Sequence, residues 1–157
     1  MNTHFDLNRK PFFVCIGTSK NRVDMVAPCL GSILKSEGFD VIGTEEDNLH
    51  ALNIRKRIKE IQDIDTTVYQ VIAVDSTIGS NRIAILGRPT KPGKSMGKDL
   101  PEIGEISICL NINNNLPREE QREKMLSDDP LCEMESRILA RLMAEKVKKL
   151  YRNTTMP

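Results

Sequence analysis

The sequence predicts an α/β domain with a central sheet covered on both faces. Three observations carry that expectation: short continuous apolar runs of strand length, helical apolar periodicity between them, and glycine or proline at most junctions. With 157 residues the chain has the size of a single domain, 1–157, able to bury a substantial core.

The elements follow in order. Residues 1–10 carry no strong pattern and read as a flexible tail that includes His4. The run from Phe12 to Gly17 begins after Pro11 and suits a first strand buried on both faces. Val26, Cys29, Leu30, Ile33 and Leu34 then recur at helical spacing, with Pro28 in the first turn and Gly38 as the stop. Phe39 to Ile42 reads as a second strand closed by Gly43 and Thr44, and Ala51, Ile54, Ile58 and Ile61 mark one face of a second helix. Tyr69 to Val74 is a third buried run and Arg82 to Leu86 a fourth, short strand. The stretch RPTKPGKSMGKDLPEIG is a long loop rich in glycine and proline, a kind that is usually functional or disordered. Glu105 to Ile112 supplies a fifth strand; adjacency of the fourth and fifth makes the mainly parallel sheet mixed. Residues 113–129 form a polar insertion without a core-facing stripe, with room for a short surface helix. The last helix is the clearest: Asp129 caps it, Pro130 takes its first position, and Ile138, Leu142 and Leu150 help to form its stripe.

Composition narrows the partners. Lys and Arg number 23 against 22 Asp and Glu, a formal charge of +1, so no global field draws the chain to nucleic acid or to an anionic membrane. Aromatic residues make up only 4% and tryptophan is absent, which disfavours stacking platforms for single-stranded nucleic acid. No segment has signal-peptide or membrane-span character, so a cytoplasmic location is expected. The four cysteines, Cys15, Cys29, Cys109 and Cys132, form no Cys-x-x-Cys pair and read as reduced core thiols.

In wound α/β sheets ligands collect beyond the carboxyl ends of strands, and here those ends are polar. Gly17-Thr18-Ser19 and Asp24 follow the first strand, Gly43 and Thr44 the second, and Asp75-Ser76-Thr77 the third. If the first and third strands are neighbours, Asp24 and Asp75 can face each other, sharing a proton or a cation, one as base and one as acid. The alternative is that Asp24 caps the helix carrying Pro28 and Asp75 only ends its strand. Gly17-Thr18-Ser19 before a helix suggests phosphate binding only weakly, because it lacks Walker and dinucleotide spacing. Lys91, Lys94 and Lys98 read either as solvated loop lysines or as binders of an anionic substrate end. His50 reads as a capping or surface residue, and with so few histidines a zinc site built on three of them is not expected.

Four blocks, VCIGTSKNRVDMVAPCLGSIL, VIGTEEDNLHALNI, VIAVDSTIG and GRPTKPGKSMGKDLPEIGEI, together resemble the YyaC-type sporulation proteins of spore-forming Firmicutes. They cover most of Phe12 to Ile112 in the family's order. That family is similar to the germination protease, which degrades small acid-soluble spore proteins, and more distantly to the hydrogenase maturation endopeptidases. The resemblance implies a three-layer α/β/α sandwich of the phosphorylase/hydrolase-like type. By motif it places the two catalytic aspartates of the germination protease at Asp24 and Asp75. The maturation endopeptidases use acidic residues at these places, with a histidine, to hold nickel; no histidine of the long loop corresponds here. The family usually reads Gly-Asp-x-Leu-Gly-Pro at the first aspartate, where this chain has Val23 and Ala27 in place of the glycines.

Two functions compete on these residues. One is a sporulation-associated peptidase in which Asp24 and Asp75 activate water, while Gly17, Thr18, Gly43, Thr44, Lys91, Lys94 and Lys98 bind a peptide or protein substrate. No cofactor is expected, although a divalent metal between the aspartates is compatible with the pattern. The other is a non-catalytic binding or regulatory protein that keeps the protease fold. A homo-oligomer is compatible with either.

Overall fold

Residues 4–94 and 97–152 are described by a computed structural model. Among the described residues nine elements follow one another: β1 (Lys10–Ile16), α1 (Val26–Ser36), β2 (Asp40–Ile42), α2 (Ile54–Gln62), β3 (Tyr69–Ser76), β4 (Ile83–Leu86), β5 (Ile106–Leu110), α3 (Arg118–Met125) and α4 (Pro130–Arg152). The strands form one sheet in the order β2-β1-β3-β5-β4. β2, β1, β3 and β5 run parallel, and β4 lies antiparallel on β5. The α/β class with a mixed, mainly parallel sheet is thus the one found.

The unbroken apolar runs have a direct explanation in the two-residue period of a strand. Phe13 and Cys15 of β1, with Ile72 and Val74 of β3, enter a cluster built with Leu30 and Leu34 of α1 and Leu139, Ala140 and Met143 of α4. Val14 and Ile16, with Val71 and Ala73, enter a second cluster containing Leu49, Ile54, Ile61, Leu100 and Ile103. Both faces of the central strands are therefore covered, giving three layers. β3 runs two residues further than its apolar stretch, so Asp75 sits inside the strand, opposite Ile16 of β1 and Cys109 of β5.

Two expectations are corrected. The tail is not loose from His4 onward. Asp6 N–H donates to Gln70 Oε1 (2.8 Å), Gln70 Nε2 donates to the His4 carbonyl (2.8 Å), and Phe5 meets Tyr151 edge-on; residues 1–3 lie outside the described residues. The core stripe of α4 is not the one carrying Ile138 and Leu142, which are 50% and 46% exposed, while Leu150 is only half-buried at the core's edge. Ser136, Leu139, Ala140, Met143, Ala144, Val147 and Tyr151 face inward instead. The helix carries two apolar stripes, and the one containing small residues lets its axis approach α1 closely.

The polar insertion does hold the short helix for which it had room. That helix is α3, whose inward residue is a glutamine rather than an apolar group. Buried Gln121 donates to the carbonyls of Leu116 (2.8 Å) and Gly79 (3.1 Å) and accepts from Asn111 Nδ2 (2.9 Å) and Gly79 N–H (3.0 Å). A hydrogen-bonded anchor of this kind leaves no periodic hydrophobic signal. Asp129 does cap α4 as expected, accepting the Leu131 N–H at 3.0 Å.

Candidate functional site

The chain passes from β1 outward through α1 to β2, then returns through α2 to β3 on the other side of β1. β1 and β3 are therefore the point where the winding reverses, and a crevice opens above their carboxyl ends. A cavity of about 760 Å³ lies there, lined among others by Gly17, Asp24, His50, Asp75, Ser76 and Thr90.

Asp24 reaches it from the turn after β1. Asn21 Oδ1 accepts the N–H groups of Val23 (2.9 Å) and Asp24 (3.0 Å), and Asn21 Nδ2 donates to the Met125 carbonyl, which ties the turn to α3. Val23 and Met25 are 2% and 3% exposed in the core, while Asp24 between them lines the cavity. Its carboxylate accepts the Ser76 hydroxyl at 2.7 Å and the Thr18 N–H at 3.1 Å. The capping role does not hold: Met25 is the N-cap of α1 and no side chain caps it. Gly17 is needed at the strand end because a Cβ there would lie 2.2 Å from the Asp24 carbonyl oxygen.

Asp75 approaches from the opposite face of the sheet, since it alternates with Val74 and Ser76 along β3. Thr90 Oγ1, from the long loop, lies 3.5 Å from its Oδ2 as a long hydrogen-bond donor. Burial first, and the neighbouring Asp24 charge second, hold the Asp75 carboxyl well above the usual carboxylate range. Asp24 is raised as well, chiefly by burial, but the Ser76 and Thr18 donors and the nearby His50 oppose the shift. The two groups are thus pushed apart, with Asp24 the more readily ionised and Asp75 the proton holder.

Of the other residues singled out from the sequence, Lys91 and Lys94 line the cavity. Thr18, Gly43, Thr44 and Lys98 do not. Gly43 packs against Cys15, Thr44 closes a turn through Asp47 N–H (3.2 Å to Oγ1), and the Lys98 side chain lies over Gly93. Phosphate binding at Gly17-Thr18-Ser19 is also corrected, because their N–H groups are already donated to Leu49 O, Asp24 Oδ2 and Asn48 Oδ1. Sequence reasoning gave no site role to His50, Ser76 and Thr90, which sit at the cavity, or to α3, whose Arg118 and Arg122 form part of its wall. The serine beside the aspartate in VIAVDSTIG was the available signal. Nothing in the sequence pattern pointed to α3.

Residues 1–126 match the family described as a protein of unknown function, DUF1256. The chain belongs to that family. It is also 38% identical over 109 residues to the uncharacterized protein YyaC of Bacillus subtilis (strain 168), covering 64% of this chain and 52% of that protein. It thus spans about half the length of the curated relative it matches, and the YyaC-type resemblance of the four sequence blocks is the relationship found. The DUF1256 match runs through α3, so the α3 wall of the cavity lies within the family region, whereas α4 follows it.

Both Asp24 oxygens accept a hydrogen bond, and His50 Nδ1 accepts the Leu52 N–H (3.1 Å). Among the described residues no three His, Cys, Asp or Glu side chains converge to hold a cation. Among the described residues, too, no helix is long and apolar enough to cross a membrane.

The raised Asp75 carboxyl also makes a stability prediction. An acid that binds its proton more tightly when folded favours folding at low pH, and that contribution is lost as pH rises through the folded value. Asp75→Asn keeps the shape without the ionisation, so its stability relative to the parent should grow with pH. Thermal melts from about pH 4 to about pH 8 should show near-equality at the acid end and a gain of about 0.5–2 kcal/mol at the alkaline end. A constant difference across the range would contradict the raised carboxyl.

Proposed function

We propose that this chain is a peptidase that activates water with a strand-end pair of aspartates and acts in sporulation. The observation that supports it best is Asp24, fixed by the Ser76 hydroxyl and Thr18 N–H beside a proton-holding Asp75 at the floor of an open cavity. Two carboxyls whose surroundings push their proton affinities apart suit general acid–base hydrolysis of an amide. In this reading Asp24 takes a proton from water as its oxygen bonds to the scissile carbonyl carbon. Asp75 gives its proton to the carbonyl oxygen. Asp24 then passes the proton it took to the departing nitrogen as the C–N bond breaks. Collapse of the diol returns the other proton to Asp75.

One observation favours the second reading, a non-catalytic binding protein on the same fold. Where the family usually has glycines flanking this aspartate, the chain has Val23 and Ala27, which restricts close backbone approach of a substrate to Asp24. A single experiment separates the two. The purified chain is incubated with small acid-soluble spore proteins and with a complex peptide mixture, beside Asp24→Asn and Asp75→Asn, and products are read by mass spectrometry. Discrete cuts lost in both variants support the peptidase. Intact substrates throughout make the binding protein the working reading.

A further inference from the structure

The cavity has two flanks of one charge. Arg88, Lys91 and Lys94 come from the loop after β4, and Arg118 and Arg122 from α3. All five are exposed, and among the described residues none of them forms an ion pair. Lack of an ion pair does not by itself set them apart, since Lys35 and Lys56 among others also form none among the described residues. Their convergence does: five cations line one opening whose acidic residues are Asp24, Asp75 and Glu102, in a chain of formal charge +1.

Their presentation is also fixed by the fold. Arg118, Arg122 and Met125 are spaced four and then three residues apart, so they share one face of α3 and all line the cavity. Glu119, Glu120 and Glu123 are absent from that lining. The helix is anchored by buried Gln121 to Gly79 and Asn111, and its end by Asn21 to the turn that carries Asp24. The same residues that locate the floor therefore locate the arginines.

We infer that the cavity recognises an acidic peptide segment, with Arg118 and Arg122 of α3 as its specificity-determining residues opposite Arg88, Lys91 and Lys94. This rests on the peptidase or peptide-binding reading of the same site, but it concerns binding and does not require turnover. The floor decides which kind of anion fits. Asp24, Asp75 and Glu102 lie in the same cavity, so a ligand must bring negative charge to the flanks and a neutral group to the centre. A peptide does so, with carboxylate side chains outward and an uncharged amide between them. A nucleic-acid strand carries a phosphate at every step and would set one against the aspartates.

The test is fluorescence anisotropy with a short labelled peptide of alternating glutamate and glycine, its glutamine counterpart, and a single-stranded oligonucleotide of equal charge. The protein is the full chain carrying Asp75→Asn, so that cleavage does not enter while the Asp24 carboxylate stays on the floor. The glutamate peptide should bind at least about tenfold more tightly than the glutamine peptide at low salt, and the advantage should shrink as salt rises. Adding Arg118→Gln and Arg122→Gln should weaken it about five- to tenfold, while Lys35→Gln with Lys56→Gln, the same charge loss away from the cavity, should leave it unchanged. Should the α3 variant fail to fold, Arg88→Gln with Lys91→Gln tests the other flank. Equal binding of the two peptides, indifference to both flank variants, or tighter binding of the oligonucleotide overturns the inference. Acid-selective binding without cleavage by the parent chain overturns only the peptidase reading; cleavage indifferent to acidic residues overturns only this one.

Discussion

In the proposed peptidase, Asp24→Asn is expected to lower peptide hydrolysis by about 10²–10⁴-fold, the usual contribution of a positioned general base. The amide still fits the turn and still has one oxygen for the Ser76 hydroxyl or the Thr18 N–H, so the loss is chemical and not structural. Asp75→Asn removes the proton donor and should cost a similar factor. Because the two groups act as a unit, the double variant should be little worse than either single one. The parent's kcat/KM should be bell-shaped in pH. The acid limb reports protonation of Asp24, and the alkaline limb ionisation of Asp75, which burial and the Asp24 charge hold well above the ordinary carboxylate range. A fluorogenic peptide assay across pH checks both points. An asparagine variant at parental rate, or a flat profile through the acid range, would remove these carboxyls from the chemistry.

The parts of the fold that could be read from the sequence were those governed by local rules. β1, β3 and β5 are buried on both faces, so their apolar runs are unbroken, and α1 and α4 have signals at their ends in Gly38, Asp129 and Pro130. The neighbourhood of β1 and β3, on which the facing aspartates depended, followed from wound α/β topology and is the pairing found. What local rules do not decide is which of two apolar stripes an amphipathic helix buries. On α4 the answer was set by the close approach of α1 to Ala140 and Ala144, not by the larger Ile138 and Leu142. Polar anchoring was equally hidden. Gln121 makes four hydrogen bonds that position α3, yet a lone glutamine within the charged stretch REEQREKM has no period to detect. At the site, Asp75 stood out because a carboxylate follows an unbroken apolar run, and Asp24 because the family resemblance places an aspartate there. His50 and the α3 arginines enter only through tertiary packing.

Gly43→Ala is expected to destabilise the fold more than either aspartate substitution, and it decides what that residue does. A Cβ at Gly43 would lie 2.0 Å from the carbonyl oxygen of Cys15 and 3.0 Å from its carbon, and φ there is +95°. The obstructing atoms are backbone of β1, held between β2 and β3 in the middle of the sheet, so they have no side chain to swing aside. Gly31 of α1 faces the same spot, with its own Cβ position 2.1 Å from the Gly43 carbonyl oxygen, so moving residue 43 away from β1 presses it into α1. Left-handed backbone strain and overpacking together should cost about 3–5 kcal/mol. For a domain of this size that lowers the melting temperature by roughly 10 °C or more, or leaves little folded chain. Gly43 does not line the cavity, so whatever folds should bind acidic peptide as the parent does. A variant with parental melting temperature and weakened peptide binding would return Gly43 to the substrate-binding role that its place after the second strand suggested.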